Sequence, residues 1–90
     1  MIPKHRKPVH PGEILLEEFL KPLCMSQVEL AGKMRVPIQR VNTIINGKRA
    51  MTAETAILLS RVLKTTSEFW MNLQVTYDLY KAQRALEHAA

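Results

Sequence analysis

Ninety residues, 47% hydrophobic and 23% charged, describe one ordinary globular domain with room for a single core. Cys24 is the only cysteine, which excludes an internal disulfide; no Cys and His cluster stands at metal-ligand spacing, and no stretch nears the roughly 18 apolar residues of a membrane span. The net charge of +5 is concentrated rather than spread: Lys33, Arg35, Arg40, Lys48 and Arg49 follow one another with no Asp or Glu between them, the footprint of a surface that faces phosphate.

In chain order, Met1 to Pro11 carry three prolines and the basic residues Lys4, Arg6 and Lys7, and are expected to form an irregular basic arm over 1–11. No apolar h-region follows this basic start, so a secreted product is not expected. The protein is read as soluble and cytoplasmic, without metal or cofactor. From 12 to 90 the apolar residues recur at spacings of three and four, and no alternating strand pattern competes. The domain is therefore expected to be all-α.

A first helix is expected from Gly12 to Lys21, burying Leu15, Leu16, Phe19, Leu20 and Leu23 and exposing Glu13, Glu17, Glu18 and Lys21. Glu17 and Lys21 are one turn apart and can pair. Pro22 should end or distort this helix. Ser26 and Glu29 form a capping box for a second helix with Leu30, Ala31 and Met34 on its inner side. Val36 precedes a proline and must leave the helical region, and Pro37 suits the first position of a third helix running to Asn46, with Gly47 as its left-handed stop. Thr52 and Ser67 are N-cap candidates for a fourth helix burying Ala56, Leu59 and Leu63 and for an extended fifth over 67–86. The fifth carries two apolar stripes, Phe69, Leu73, Tyr77 and Tyr80 on one side and Val75, Leu79 and Leu86 on the other. Either both are buried in one chain, or the second is a dimer or partner contact. Trp70 is assigned to the core.

Between Gln27 and Asn46 a short helix, a turn of about three residues and a second helix follow one another, which is the helix-turn-helix arrangement. Ala31 is small where the helices would cross, and Leu30, Met34, Val36, Val41 and Ile44 supply the apolar seam. Opposite that seam the third helix presents Gln39, Thr43 and Asn46, flanked by Arg40 and Asn42. These types suit base edges: Gln and Asn pair with adenine, Arg with guanine, and Thr offers a hydroxyl and a methyl. Gln27 at the start of the second helix, Lys48 and Arg49 beyond the third, and Arg35 in the turn are candidate phosphate contacts. Ile38 is given to packing. Any one of these features also fits a solvated helix face; their coincidence favours binding to duplex DNA.

The strings HPGEIL with EEFLKPL, SQVELA, RVNTIINGKR, and TAETA with SEFWMNLQ and YDL cover about nine tenths of the chain. Through them it resembles the HigA, or VapI-like, antitoxin family within the phage-repressor-like helix-turn-helix class. The resemblance implies a five-helix repressor-like domain with an extended C-terminal helix. It also implies a homodimer on a palindromic operator in its own promoter, and a cognate toxin partner, a small basic ribonuclease acting on messenger RNA. Arg35 departs from the pattern, since such proteins often carry glycine in this turn, and a left-handed backbone there would cost Arg35 about 1 to 2 kcal/mol. Glu13, Glu17 and Glu18 form an acidic patch that either meets a basic toxin or is simply solvated.

Catalysis has no support: His5, His10 and His88 lie in the arm or tail, and Cys24 has no base beside it in sequence. Two other readings stay open. One is a stand-alone helix-turn-helix regulator without a toxin. The other is a protein-interaction module that no longer binds DNA.

Overall fold

The computed structural model describes residues 8–89 and shows five helices separated by short turns. The arm's basic residues Lys4, Arg6 and Lys7, together with His5, lie outside the described residues. Pro8 to His10 are irregular, and the first helix, α1, spans 11–23, beginning one residue earlier than expected. Pro11 fills its first position, and His10 Nδ1 accepts from the Gly12 N–H at 2.9 Å as the N-cap.

Pro22 does not end α1. A π-helical stretch, Leu15–Leu20, precedes it, in which the Lys21 N–H reaches back five residues to the Leu16 carbonyl; the wider turn carries the chain past the proline to Leu23. Each π turn holds an extra residue, so later positions are rotated off the 3.6-residue register. Leu23 is accordingly 56% exposed rather than part of the buried stripe, while Leu15 and Leu20 are sealed. The expected pair forms, with Lys21 Nζ 2.8 Å from Glu17 Oε2.

Ser26 Oγ accepts from the Glu29 N–H at 3.0 Å and opens α2, Gln27–Met34. The next helix, α3, is Ile38–Ile45, one residue shorter at each end than expected: Pro37 is extended at the N-cap rather than helical, and Asn46 is the C-cap. The fixed φ of proline serves either conformation, and here it serves the turn. Thr52 caps α4, Ala53–Leu63, its Oγ1 accepting from the Thr55 N–H at 3.3 Å. The cap of α5, Ser67–Ala89, is Thr66 rather than Ser67: its Oγ1 accepts from the Phe69 N–H at 3.1 Å, and Ser67 is already helical.

Three helices stop on left-handed residues that are not glycine, Cys24, Arg35 and Lys64; the loop after α3 turns on Gly47, at φ 75°. At Cys24 and Arg35 the amides fold back in the double bond of a Schellman turn, as with the Arg35 N–H on the Gly32 carbonyl and the Val36 N–H on the Ala31 carbonyl. Sharp reversals of this kind let short helices cross within 90 residues.

α2 packs on α3 and α4, α1 on α3 and α5, and α4 on α5. The shared core is Leu15, Leu20, Leu30, Ala31, Met34, Val41, Ile44, Met51, Ala56, Leu59 and Trp70, with Val36 packed against its edge. Trp70 is fully buried, as expected, between Phe19 and Phe69, and its Nε1–H donates to Thr65 Oγ1 at 2.7 Å. The 23 residues of α5 make a rod of about 34 Å in a molecule 45 Å long, and residues 81–88 are all exposed.

A close backbone approach joins α1 to α3 at Gly12. A Cβ built on Gly12 would lie 1.8 Å from the Ile44 carbonyl oxygen. Gly12→Ala is therefore expected to cost about 3 kcal/mol, the upper range of overpacking, because both clashing groups are main chain and cannot rotate away. Urea denaturation would register this as a lower midpoint with the same slope.

Candidate nucleic-acid interface

α3 is eight residues long and divides sharply: Val41 and Ile44 are buried, while Gln39, Asn42 and Asn46 form the centre of its outward face. Asn42 is exposed, whereas Thr43 is half-buried. Asn42 Nδ2 donates to Gln27 Oε1 of α2 at 3.3 Å, and Asn46 Nδ2 donates to Asn42 Oδ1 at 3.2 Å. The two helices of the motif are consequently joined by packing beneath and by an amide relay on the surface. Sequence reading had proposed Gln27, Asn42 and Asn46 singly; their contact depends on the crossing of α2 and α3.

Arg40 and Thr43 stand to the side. Arg40 is half-buried, with Nη1 3.8 Å from Glu54 Oε1 in the first turn of α4. Thr43 donates its hydroxyl to the Gln39 carbonyl at 2.7 Å, which leaves its oxygen lone pairs and its methyl unengaged. Ile38 is 38% exposed at the start of α3 and packs less than expected. Arg35 is exposed with φ 59°, so the turn does adopt the left-handed shape that glycine would favour.

The loop after α3 is wound back onto it, the N–H groups of Lys48 and Arg49 both reaching the Thr43 carbonyl at 2.8 and 3.2 Å. Both side chains point to solvent beside the amide face. Two residues that sequence reading assigned no role hold this loop. Gln74, buried in α5, accepts from the Met51 N–H through Oε1 at 2.7 Å and donates from Nε2 to Asp78 at 2.9 Å. The His10 ring lies against Gly47 and the Arg49 backbone carbonyl, with Tyr77 edge-on at 5.1 Å. A polar residue on the inner side of α5 and a histidine next to Pro-Gly were the available signals. Neither names its target without the fold.

Burial holds the His10 pKa below its ordinary 6.5; the Arg49 carbonyl and Asp78 oppose this and Lys81 adds to it. Among the described residues no group of acidic, His and Cys side chains could hold a metal, and no helix is long and apolar enough to cross a membrane. Val75, Leu79 and Leu86 are 49%, 57% and 72% exposed, so the second stripe of α5 is not covered by any of the described residues.

Two short helices crossing over a common seam, the second with a polar outer face beside a basic loop, define a helix-turn-helix protein. The helix-turn-helix family HTH_3 matches residues 16–70. The chain is 44% identical over 78 residues to the uncharacterized HTH-type transcriptional regulator YbaQ of Escherichia coli (strain K12), covering 87% of this chain and 69% of that one. It is 39% identical over 85 residues to antitoxin HigA-1 of Vibrio cholerae, covering 94% and 80%. The structure of Pseudomonas aeruginosa antitoxin HigA with the higBA promoter superposes with a TM-score of 0.87 at 41% identity, over 91% of this chain and 89% of that one. The chain belongs to the helix-turn-helix family HTH_3 and, within it, to the HigA family.

Two outcomes follow from this geometry. Arg35→Gly should stabilise the protein by roughly 0.5 to 1 kcal/mol, the relief of a left-handed side chain less the added freedom of glycine in the unfolded chain; urea midpoints check it. Because the folded pKa of His10 is lowered, the folded state binds the proton more weakly than the unfolded chain. Its contribution is complete above the ordinary 6.5 and is lost as pH falls through the lowered value. His10→Asn keeps an acceptor for the Gly12 N–H but does not titrate. Its melting temperature should fall less than that of the parent between about pH 7 and pH 5.

Proposed function

We propose that this chain is an antitoxin that binds its operator through α3, represses its own operon as a homodimer, and neutralises a cognate toxin, a small basic ribonuclease that cleaves messenger RNA. The observation that carries the DNA reading is the outward face of α3, where Gln39, Asn42 and Asn46 are exposed beside Lys48 and Arg49. Amides can read base edges and cations can meet phosphate, and here both lie at one end of a rigid two-helix unit. The relative solved with its promoter has this fold over nine tenths of its length, which supports the same docking here.

In this reading Gln27, Lys48, Arg49 and Arg35 meet phosphates; Gln39, Asn42, Asn46, the Thr43 methyl and, once released from Glu54, Arg40 meet bases. The exposed stripe Val75, Leu79 and Leu86 is the contact for the second copy or for the toxin, since apolar groups at this spacing gain most from being covered. Cys24 is exposed, which suits a reducing cytoplasm. The resemblance to YbaQ favours a second reading, a regulator without a toxin. Copurification with the product of a neighbouring small basic reading frame separates the two: a stable complex establishes the antitoxin, and its absence leaves the regulator.

DNA binding itself is tested by titrating duplex DNA from the chain's own promoter at several salt concentrations. Each neutralised phosphate should contribute about 0.9 to the slope of log affinity against log salt, and Lys48→Ala should lower that slope by about one while weakening all duplexes alike. Affinity that ignores salt would overturn the DNA reading.

A further inference from the structure

We propose that Asn42 is an adenine reader whose amide is held in place, before DNA arrives, by hydrogen bonds to Gln27 and Asn46; the inference rests on the DNA-binding reading above. Asn42 is exposed at the centre of the outward face of α3, and both ends of its amide are engaged. Its Nδ2 donates to Gln27 Oε1 at 3.3 Å, and its Oδ1 accepts from Asn46 Nδ2 at 3.2 Å. Turning this amide over by itself would set oxygen against oxygen at Gln27 and N–H against N–H at Asn46. The relay must reverse as a whole or not at all.

A primary amide has two N–H donors and an oxygen with two lone pairs, so Asn42 retains one donor and one lone pair, side by side in one plane. Adenine presents the complementary pair in the major groove, an acceptor at N7 and a donor at N6; guanine presents two acceptors, N7 and O6, and would oppose the Asn42 oxygen. The relay therefore selects adenine over guanine at one base pair. Gln39 shares the face but has no side-chain hydrogen bond among the described residues, and Arg40 leans towards Glu54. Neither is braced in this way.

At its other end the relay leaves Gln27 with its oxygen engaged and both Nε2 hydrogens outward, at the first residue of α2 beside that helix's free backbone amides. A group with two unengaged N–H donors at a helix N-terminus suits a phosphate oxygen. One chain of hydrogen bonds thus links a backbone anchor to a base reader, and Gln27 acts on sequence choice as a positioning residue.

Selection from a pool of random duplexes with the full chain, followed by titration of the selected duplex, tests this. The parent should enrich an adenine at one position of each half-site, and 7-deazaadenine there, which lacks the N7 acceptor, should weaken binding about 10-fold, the worth of one bidentate pair. Asn42→Ala should abolish that sensitivity. Gln27→Ala should shrink it to about 3-fold or less, whereas Gln27→Glu, which still offers Asn42 an oxygen, should keep it while binding every duplex more weakly. Asn42 is exposed and Gln27 half-buried, and unchanged thermal melts check that the variants fold. Retention of the adenine preference by Asn42→Ala overturns the reader, and full retention by Gln27→Ala overturns the relay. If the parent enriches no sequence at all, the DNA-binding reading falls as well; if it enriches one that ignores Asn42, this inference alone falls.

Discussion

The main-chain contact between Gly12 and Ile44 is the constraint on which the rest of the structure depends. α3 is only eight residues long and buries two large side chains, Val41 and Ile44, too little to fix its own direction. α2 holds its buried face through the seam of Leu30, Ala31 and Met34, and the N-terminus of α1 meets its last turn at a distance no side chain at position 12 would allow. Proline before this glycine and a histidine cap before that proline set the entry angle of α1. A motif in the N-terminal segment thereby aims the helix that presents the polar face.

Charge and shape contribute differently to the interface. The basic run from Lys33 to Arg49 supplies attraction that any duplex would feel and that salt would screen. Discrimination requires groups whose directions are settled beforehand, since ordering a free side chain on binding costs about 0.5 to 1.5 kcal/mol. The amide relay and the clasped loop have already met part of that cost in the folded protein. Gln74 contributes from α5: its buried amide is satisfied by the Met51 N–H and by Asp78, so the loop bearing Lys48 and Arg49 is fixed to that helix.

α5 is thus divided along its length and around its circumference. Its first turns close the core through Trp70 and Gln74; its later turns project, with Leu79 and Leu86 exposed to solvent. A protein this small buries a limited share of its surface, and an uncovered apolar stripe on a projecting helix is where association gains most. The residue that holds the basic loop and the first of the open stripe are neighbours in sequence, Gln74 buried and Val75 exposed.

The sequence by itself determined the helical class, the helix-turn-helix segment, the family resemblance, the seam, the basic surface and the burial of Trp70, because each is written in local spacing: a three-four apolar period, a capping serine, a glycine stop, a run of cations without acids. Its errors also have local causes. A π turn leaves no clear mark in an apolar period, which is why Leu23 reads as core, and Ser67 reads as the cap because neighbouring hydroxyls are equivalent until one of them, here Thr66, meets an amide. Only the tertiary structure decided that Gln27, Asn42 and Asn46 form one relay, that Arg40 leans to Glu54, that His10 and Gln74 hold the basic loop, and that the second stripe of α5 stays open. Each of these is a contact between residues brought together by helix crossing, and crossing angles are set by the fit of whole surfaces rather than by any single stretch of chain.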